Sequence, residues 1–306
     1  KRVSLPTNTE AVRPQTFNAL NVVEKKPVPP KPEPAPKRNV VTPYTEGAIS
    51  DSVNRQPIYS FVKSILAYPV ISFDVFDTLI LRPFGNPKDM FYLLQKEFGI
   101  IDFYNIRIKA EAKAKDKAQL VKGNREVTIN DIYAEVEKMT GLDRKYGAET
   151  EFAFEKKLCT ANPYMKRVFD VLKGQNKRII IVSDMYFSSE QIGELLENCG
   201  ITGYEKIYVS CEHNVNKTNL RLYDVVSKNI REDPKNIIHI GDNYIVDIKN
   251  ARKAGWNAKH YPQCNEYGNR YNAAYTGMSE IIGACYAGIT NGHLLNGIKQ
   301  FSSAYE

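Results

Sequence analysis

Four short apolar runs, separated by stretches with helical periodicity, organise the central part of the chain. They are VISF from Val70, RIIIVS from Arg178, KIYVS from Lys206 and NIIHIG from Asn236. Short apolar runs bounded by polar residues are typical of strands that are buried on both faces. Strands that alternate with helices at this spacing form right-handed βαβ units. The pattern therefore predicts an α/β fold with a parallel sheet flanked by helices.

Helix-boundary signals support the helices on either side of the second run. Asn162 followed by Pro163 predicts a helix start, and Gly174 predicts its end before RIIIVS. Ser188 and Gln191 form a capping-box pattern before ELLENC.

The interval between the first two runs breaks the alternation, because it contains successive helical stretches and no convincing strand. The stretches include NPKDMFYLLQKEFG, with Asn86 as N-cap and Pro87 in the first turn, and INDIYAEVEKMTG, which Thr128 and Asp131 precede as a capping pair. The pattern predicts an all-helical insertion between the first and second core strands, and this segment is called the cap below.

The two ends of the chain differ from its centre. The start contains KPVPPKPEPAPKR, which favours an extended linker or tail, although its prolines also fit SH3-type recognition. The end is rich in Gly and Tyr, and its pattern assigns it no role. Because the first residue is Lys, we expect a piece of a longer protein. The predicted division is linker 1–50, core 51–81 and 162–262, cap 82–161, and C-terminal extension 263–306.

Composition narrows the classes of function. The formal net charge is +7, but basic residues are mostly scattered among acidic ones and do not interleave with aromatic residues. This favours a small anionic substrate over nucleic acid. The five cysteines form no C-x-x-C pair, so we expect a reduced, cytoplasmic setting without a zinc site. No apolar run approaches the ~20 residues of a membrane span.

Polar residues follow the apolar runs at or near their carboxyl ends. They are Asp74 and Asp77 after VISF, Ser183 and Asp184 after RIIIV, Lys217 after KIYVS, and Asp242 and Asp247 after NIIHIG. Ligands gather at the carboxyl ends of the strands in an open α/β sheet. We therefore expect these side chains to converge on one edge.

Such a cluster has a chemical rationale. Mg²⁺ prefers carboxylate oxygens and keeps positions for water and substrate phosphate, so Asp74 and Asp242 are the natural ligands. Asp74 would attack phosphorus and form an aspartyl-phosphate that water cleaves. Lys217 would offset the negative charge, and Ser183 would donate a hydrogen bond to a phosphate oxygen.

Structural alternatives stay open for several of these residues. Asp77 and Thr78 also fit a turn or helix cap, and Asp247 fits a first-turn anion of a helix. Lys217 alone would be a surface lysine, and Ser183 alone would simply end its strand. His239 is interpreted as a hydrogen-bonded core histidine. In the cap, a solvated helical face is the simpler interpretation of Arg107, Glu111 and Arg125.

A receiver domain also combines strand-end aspartates, a Ser or Thr, a Lys and Mg²⁺. Its phosphoacceptor lies on an internal strand, with the acidic pair on the first strand and no large helical insertion. Here the acidic GDN group follows the last predicted strand, so the receiver interpretation is rejected.

The segments FDVFDTL, IVSDMY, Lys217 in NVNKTNLRLYDVV, and HIGDNYIVDI stand in the order and spacing of four signature motifs. In this the chain resembles the haloacid dehalogenase (HAD) superfamily from about Val70 to Pro262. More narrowly, FDVFDTLILRP, RIKAE and YAGITNGHLLNG resemble the HAD-like domain of bacterial surface-polysaccharide biosynthesis proteins, which often accompanies a glycosyltransferase.

The resemblance implies a Rossmann-like core with a helical cap and assigns a role to each matching residue. Asp74 is implied as nucleophile and metal ligand, Phe76 as a backbone-carbonyl ligand, and Asp242 as a metal ligand supported by Asp247. Ser183 and Lys217 are implied to bind phosphate, and Asn243 to orient its neighbours.

Phe76 departs from the family pattern. Family phosphatases usually carry a second Asp two positions after the nucleophile, where it protonates the leaving oxygen. A positioned general acid contributes ~10²–10⁴-fold, so its loss matters. Asp77, a cap residue such as Glu111, or the substrate itself would have to supply the proton.

Three hypotheses follow. The leading one is a Mg²⁺-dependent phosphatase for a small phosphorylated metabolite, with a sugar phosphate as one candidate substrate. The second is a catalytically silent domain that tethers or regulates a fused or partner glycosyltransferase. The third is a hydrolase that attacks carbon, which the metal-binding pattern GDNYIVD disfavours.

Overall fold

The protein is described by a computed structural model that covers residues 56–84 and 86–262. Its strands are β1 Val70–Phe73, β2 Ile80–Leu81, β3 Thr160–Ala161, β4 Arg178–Ser183, β5 Lys206–Val209, β6 Ile237–Gly241 and β7 Asn257–His260. Five of them form a parallel sheet in the order β5-β4-β1-β6-β7. The predicted α/β fold with a parallel sheet is confirmed.

Helices cover the sheet and fill the interval between β2 and β3. They are α1 Ile58–Ile65, α2 Met90–Phe98, α3 Phe103–Lys122, α4 Ile129–Thr140, α5 Arg144–Leu158, α6 Pro163–Gly174, α7 Ser189–Asn198, α8 Ser210–His213, α9 Arg221–Ile230 and α10 Ala251–Lys253. Short 3₁₀ turns occupy Pro87–Asp89 and Pro234–Asn236, and a π-helix occupies Tyr244–Asn250.

The helix caps follow the sequence signals. Asn162 accepts hydrogen bonds from the first-turn amides of α6. Complete capping boxes join Ser188 to Gln191 at α7 and Thr128 to Asp131 at α4. Each cap satisfies amide groups that the helix cannot pair internally, which fixes where the helix begins.

The order of strands places β1 at the centre, which determines where Asp74 lies. β1 pairs with β4 on one side and β6 on the other, and all four of its residues are buried. Because the three strands are parallel and in register, their carboxyl ends share one edge of the sheet. The residues that directly follow β1, β4 and β6 therefore all lie at the carboxyl edge of the sheet.

Three short strands were not predicted. β2 and β3 pair as an antiparallel ribbon at the two ends of the helical insertion, so the expectation of no strand in residues 82–161 is wrong at Thr160–Ala161. β7 has the sequence NAKH, lies at the sheet edge and is half-buried throughout. A half-buried edge strand needs no apolar run, which is why the pattern missed it.

Arg107 corrects another expectation. Its side chain, on α3, has no exposed surface, whereas a solvated helical face was expected. It donates two hydrogen bonds to Glu151 of α5 and one to Glu111. Glu111 is partly exposed and Arg125 is half-exposed, so the solvated interpretation fits those two better.

Within the described residues, no helix is long and apolar enough to cross a membrane. The predicted linker 1–50 and C-terminal extension 263–306 lie outside the residues that the structure describes.

Candidate active site

Lys217 joins two carboxylates at the carboxyl edge of the sheet. Its ammonium donates to Asp74 Oδ1 and to Asp247 Oδ1, each at 2.6 Å. Asp74 directly follows β1, and its backbone amide donates to Ile240 of β6 at 2.9 Å. All three side chains are buried. The sheet edge therefore brings together residues that lie more than a hundred positions apart in sequence.

Asp242 completes a cluster of three carboxylates. It directly follows β6 and is buried, and carboxylate oxygens of Asp74, Asp242 and Asp247 all lie within 4.8 Å of one another. The Thr78 hydroxyl donates a hydrogen bond to Asp242 Oδ1 at 3.4 Å. Asp242 therefore has no cationic partner among the described residues, in contrast to its two neighbours.

Asp247 is held from several sides. His239 Nε2 lies 3.3 Å from Asp247 Oδ1, and His239 Nδ1 lies 2.8 Å from the Ser72 hydroxyl. A neutral ring that donates to Asp247 can accept from Ser72, so both ring nitrogens are used. The backbone amide of Asn243 donates to Asp247 Oδ2 at 3.0 Å. The core histidine expected at 239 is thus also a support of the site.

Gly241 is required by this packing. Asp247 lies so close to the Gly241 Cα that a Cβ there would collide with the carboxyl group. The π-helix that carries Asp247 begins where Asn243 accepts hydrogen bonds from the amides of Ile245 and Val246. This cap turns the chain back towards β6 and aims Asp247 at Lys217.

The pKa values of the three carboxyl groups depend on their burial and on the ammonium group of Lys217. Burial raises the pKa of Asp74 to about 7, against the opposing pull of Lys217. Burial, and then the charge of Asp74, raise the pKa of Asp242 to about 9. Burial would also raise the pKa of Asp247, but Lys217 and His239 hold it below the usual range. Asp242 is therefore the carboxyl group of the cluster whose ionisation is least compensated.

Asp184 was expected at this edge because it follows RIIIV with Ser183, but the sequence assigned it no role. Its carboxylate accepts the backbone amide of Lys217 at 2.9 and 3.0 Å. On the opposite side of that loop, the Asn250 amide donates to the carbonyl groups of Lys217 and Thr218. These contacts fix the loop that carries the lysine. The SDMY segment contained the signal, since Asp184 directly follows a predicted site residue.

Ser183 and Asp77 lie at the same edge without joining the carboxylate cluster. Ser183 is buried at the end of β4. Asp77 is half-buried and has a left-handed backbone conformation, with φ of 57°. Its carboxylate makes no hydrogen bond or ion pair with any residue that the structure describes. Burial raises the pKa of Asp77, and Arg82 opposes this shift.

Phe76, which follows Asp74 by two positions, lies beneath a buried ion pair. The Arg82 guanidinium lies 4.0 Å from the Phe76 ring centroid and donates to both oxygens of Glu155. Arg82 follows β2, and Glu155 belongs to α5. The ion pair therefore joins the two ends of the helical insertion beside the site.

Comparisons with known proteins show the class of fold. No protein-family profile matches the chain, and no curated protein matches its sequence. The crystal structure of an L-2-haloacid dehalogenase is similar with a TM-score of 0.51 and 17% identity, over 71% of this chain and 91% of the other. This likeness, with the sheet order above, shows that the chain has the HAD-like α/β fold.

Two further solved structures are similar at lower scores. The L-2-haloacid dehalogenase from Xanthobacter autotrophicus has a TM-score of 0.49 and 14% identity, over 71% of this chain and 86% of the other. The putative HAD-type hydrolase from Bacillus subtilis, solved with bound magnesium, has a TM-score of 0.46 and 16% identity, over 62% and 87%.

Proposed function

We propose that the protein is a Mg²⁺-dependent phosphatase that acts on a small phosphorylated metabolite, with Asp74 as nucleophile. The observation that carries the proposal is the charge of the buried cluster. Three carboxylates share one ammonium, and Asp242 has no cation among the described residues. Buried charges are stable when they are paired or bind metal. A divalent cation supplies what the cluster lacks.

The chemistry of the donor set suits Mg²⁺, which prefers carboxylate oxygens. One carboxylate oxygen from each of the three residues lies within 4.8 Å of the other two. Asp74 and Asp242 would hold the ion, with the Phe76 carbonyl as a third ligand by the resemblance. Asp247 is engaged by Lys217, His239 and Asn243, which favours a supporting role. When bound, the ion would neutralise charge around the phosphate group.

The residues then have separate tasks. Asp74 attacks phosphorus, and the bond from phosphorus to the leaving oxygen breaks, which gives an aspartyl-phosphate that water hydrolyses. Lys217 holds Asp74 in position and offsets the charge on the phosphoryl oxygens. Ser183 donates to one of those oxygens. Asp184 and Asn250 keep the Lys217 loop in place, and this rigidity preserves the geometry.

Asp77 is the proposed proton donor to the leaving oxygen. Its carboxyl group has no described partner to displace, and burial raises its pKa, which favours the protonated form that a proton donor needs. Asn tolerates the left-handed backbone, so Asp77→Asn preserves the turn. We expect it to lower kcat by about 10²-fold for alkyl phosphates and to leave p-nitrophenyl phosphate nearly unchanged. Equal losses for both esters would assign the proton to another group.

A sugar phosphate of surface-polysaccharide synthesis is the substrate class that the narrower sequence resemblance favours, with a fused or associated glycosyltransferase as partner and a cytoplasmic location. The rival is a silent domain, and one observation favours it: Arg82 covers the ring that replaces the usual acid. The enzyme is supported instead by four polar residues that lie together at the carboxyl edge of the sheet, namely Asp74, Ser183, Lys217 and Asp242.

Phosphate release distinguishes the two. Wild type and Asp74→Asn are assayed on sugar phosphates and p-nitrophenyl phosphate, with Mg²⁺ or with EDTA. Turnover that needs Mg²⁺ and disappears in Asp74→Asn supports the phosphatase. A folded wild-type protein that binds Mg²⁺ and releases no phosphate from any of them would support the silent domain.

A further inference from the structure

A cavity of about 430 Å³ adjoins the candidate site on the side of the helical insertion. Asp184 in its wall directly follows Ser183, and Asn216 and Thr218 flank Lys217. The opposite wall comes from α3 and the loop after it. This volume is suitable for a single small-molecule ligand. The cavity and the site therefore share the same two loops.

The insertion contacts the Lys217 loop across this cavity. The Asn216 side-chain amide donates to Glu126 Oε1 at 2.7 Å. Nearby, the Ile129 amide at the start of α4 donates to the carbonyl group of Tyr186 at 2.9 Å. These two bonds hold the wall formed by the insertion against the core.

Charges in the cavity are distributed unevenly. At the outer side, Glu111 is neutralised by Arg107 and Lys115, and Arg125 is paired with Asp116. At the inner side, Glu126 and Asp184 accept hydrogen bonds from an amide side chain and a backbone amide, and neither forms an ion pair with a described residue. On the side of the cavity next to the Lys217 loop, Glu126 and Asp184 are therefore two carboxylates that no described ion pair neutralises.

We infer that this cavity binds the leaving group of the substrate, and that Glu126 and Asp184 select an uncharged, hydroxyl-rich leaving group and exclude one that carries a second anion. The inference rests on the proposed phosphatase function. Carboxylate oxygens accept hydrogen bonds from hydroxyl groups, whereas a like charge in their place is repelled. Specificity thus comes from repulsion as well as attraction.

Binding to a catalytically inactive protein tests the inference. In an Asp74→Asn background with Mg²⁺, calorimetry compares glucose 6-phosphate with 6-phosphogluconate, whose additional carboxylate lies in the leaving group. We expect preferential binding of glucose 6-phosphate. Adding Glu126→Gln keeps an acceptor for Asn216 but removes the charge, and should narrow the preference by about 5-fold, the effect of one charge about 4 Å away in water.

Glu149→Gln is the matched control. Glu149 is an exposed carboxylate of α5 that lies 3.9 Å from Lys145 and does not line the cavity, so this change should leave the preference unaltered. Tighter binding of 6-phosphogluconate, binding of neither compound, or a preference unaffected by Glu126→Gln would overturn the inference. Hydrolysis of p-nitrophenyl phosphate by the wild type is measured in parallel. Its persistence in those cases would leave the phosphatase proposal intact, and its absence would refute that proposal.

Discussion

Lys217 is the residue on which the geometry of the candidate site depends most. It is buried, and its ammonium contacts two of the three carboxylates. Lys217→Met keeps most of the side-chain volume but leaves Asp74 and Asp247 without their shared partner. We expect kcat to fall by at least about 10²-fold, as for the loss of one fixed charge-stabilising donor.

Lys217→Arg is the informative companion, assayed by the same phosphate release. A planar guanidinium does not fit where a compact ammonium donates to two carboxylates, so we expect little recovery. Full activity in the Arg variant would show that a positive charge alone suffices, contrary to the role assigned to the geometry.

Asp242 gives a prediction about pH. Its folded-state pKa of about 9 lies above its value in an unfolded chain, so ionisation opposes folding. In EDTA, its contribution to stability is fully present below about pH 4 and is lost as the pH rises towards 9. Melting temperatures in EDTA should therefore be less pH-dependent between pH 6 and 8.5 in Asp242→Asn than in the wild type. If the melting temperatures of the wild type and Asp242→Asn depended on pH in the same way, Asp242 would not be the group whose ionisation opposes folding.

Mg²⁺ should restore the stability that the protein loses when Asp242 ionises. A ligand that binds the folded state raises its stability, by about 2.7 kcal/mol at a hundred times its dissociation constant. We expect Mg²⁺ to raise the melting temperature of the wild type more at pH 8.5 than at pH 6, and to have little effect on Asp242→Asn. An equal rise in both proteins would place the metal elsewhere.

At the scale of single residues, the sequence predicted the position of the cluster but not its supports. Asp74, Lys217 and Asp242 follow strands or occupy a defined loop, so the parallel sheet alone brings them near one another. The contacts of Ser72, His239 and Asp184 depend on side-chain direction across separate strands. No local pattern contains that information, and only His239 was expected to be buried and hydrogen-bonded.

At the scale of elements, the helical insertion contains a fully buried ion pair. Arg107 and Glu151 are both fully buried, and Tyr133 donates a third hydrogen bond to Glu151. Removing the arginine leaves a buried carboxylate unpaired. Arg107→Met should therefore lower the free energy of unfolding by about 3–5 kcal/mol, measured by urea denaturation.

Two further variants make this test specific. Arg125→Met breaks an exposed pair with Asp116 on the same insertion and should cost less than about 1 kcal/mol. Adding Glu151→Gln to Arg107→Met should restore part of the loss, because the unpaired charge is gone. Similar costs for Arg107→Met and Arg125→Met would contradict the burial described here.

Elements with a strong periodic or apolar signal were predicted, and those without one were not. The four predicted strands and the three polar caps at Thr128, Asn162 and Ser188 are present. β2 and β3 have two residues each and β7 lacks an apolar run, so tertiary pairing defines these strands rather than intrinsic propensity. Asp247 was expected in or before a regular helix, but the structure has a π-helix there, which local sequence does not distinguish from an α-helix.

For the whole molecule, the fold places the helical insertion beside the candidate site. The insertion leaves the core through β2 and returns through β3, and it contacts the Lys217 loop through Glu126. The insertion and the two loops that carry Asp184 and Lys217 therefore line one cavity. The chemistry is proposed at the sheet edge, and the choice of substrate is proposed at the insertion.

The central claim is that Asp74 carries the phosphoryl group. Protein mixed with p-nitrophenyl phosphate and Mg²⁺ is quenched in acid and reduced with borohydride, which converts an aspartyl-phosphate to homoserine. Peptide mass spectrometry then locates the change. The account predicts homoserine at position 74 in the wild type, and neither homoserine nor phosphate release in Asp74→Asn. Phosphate release without any modification at Asp74, or release that continues in Asp74→Asn, would contradict it.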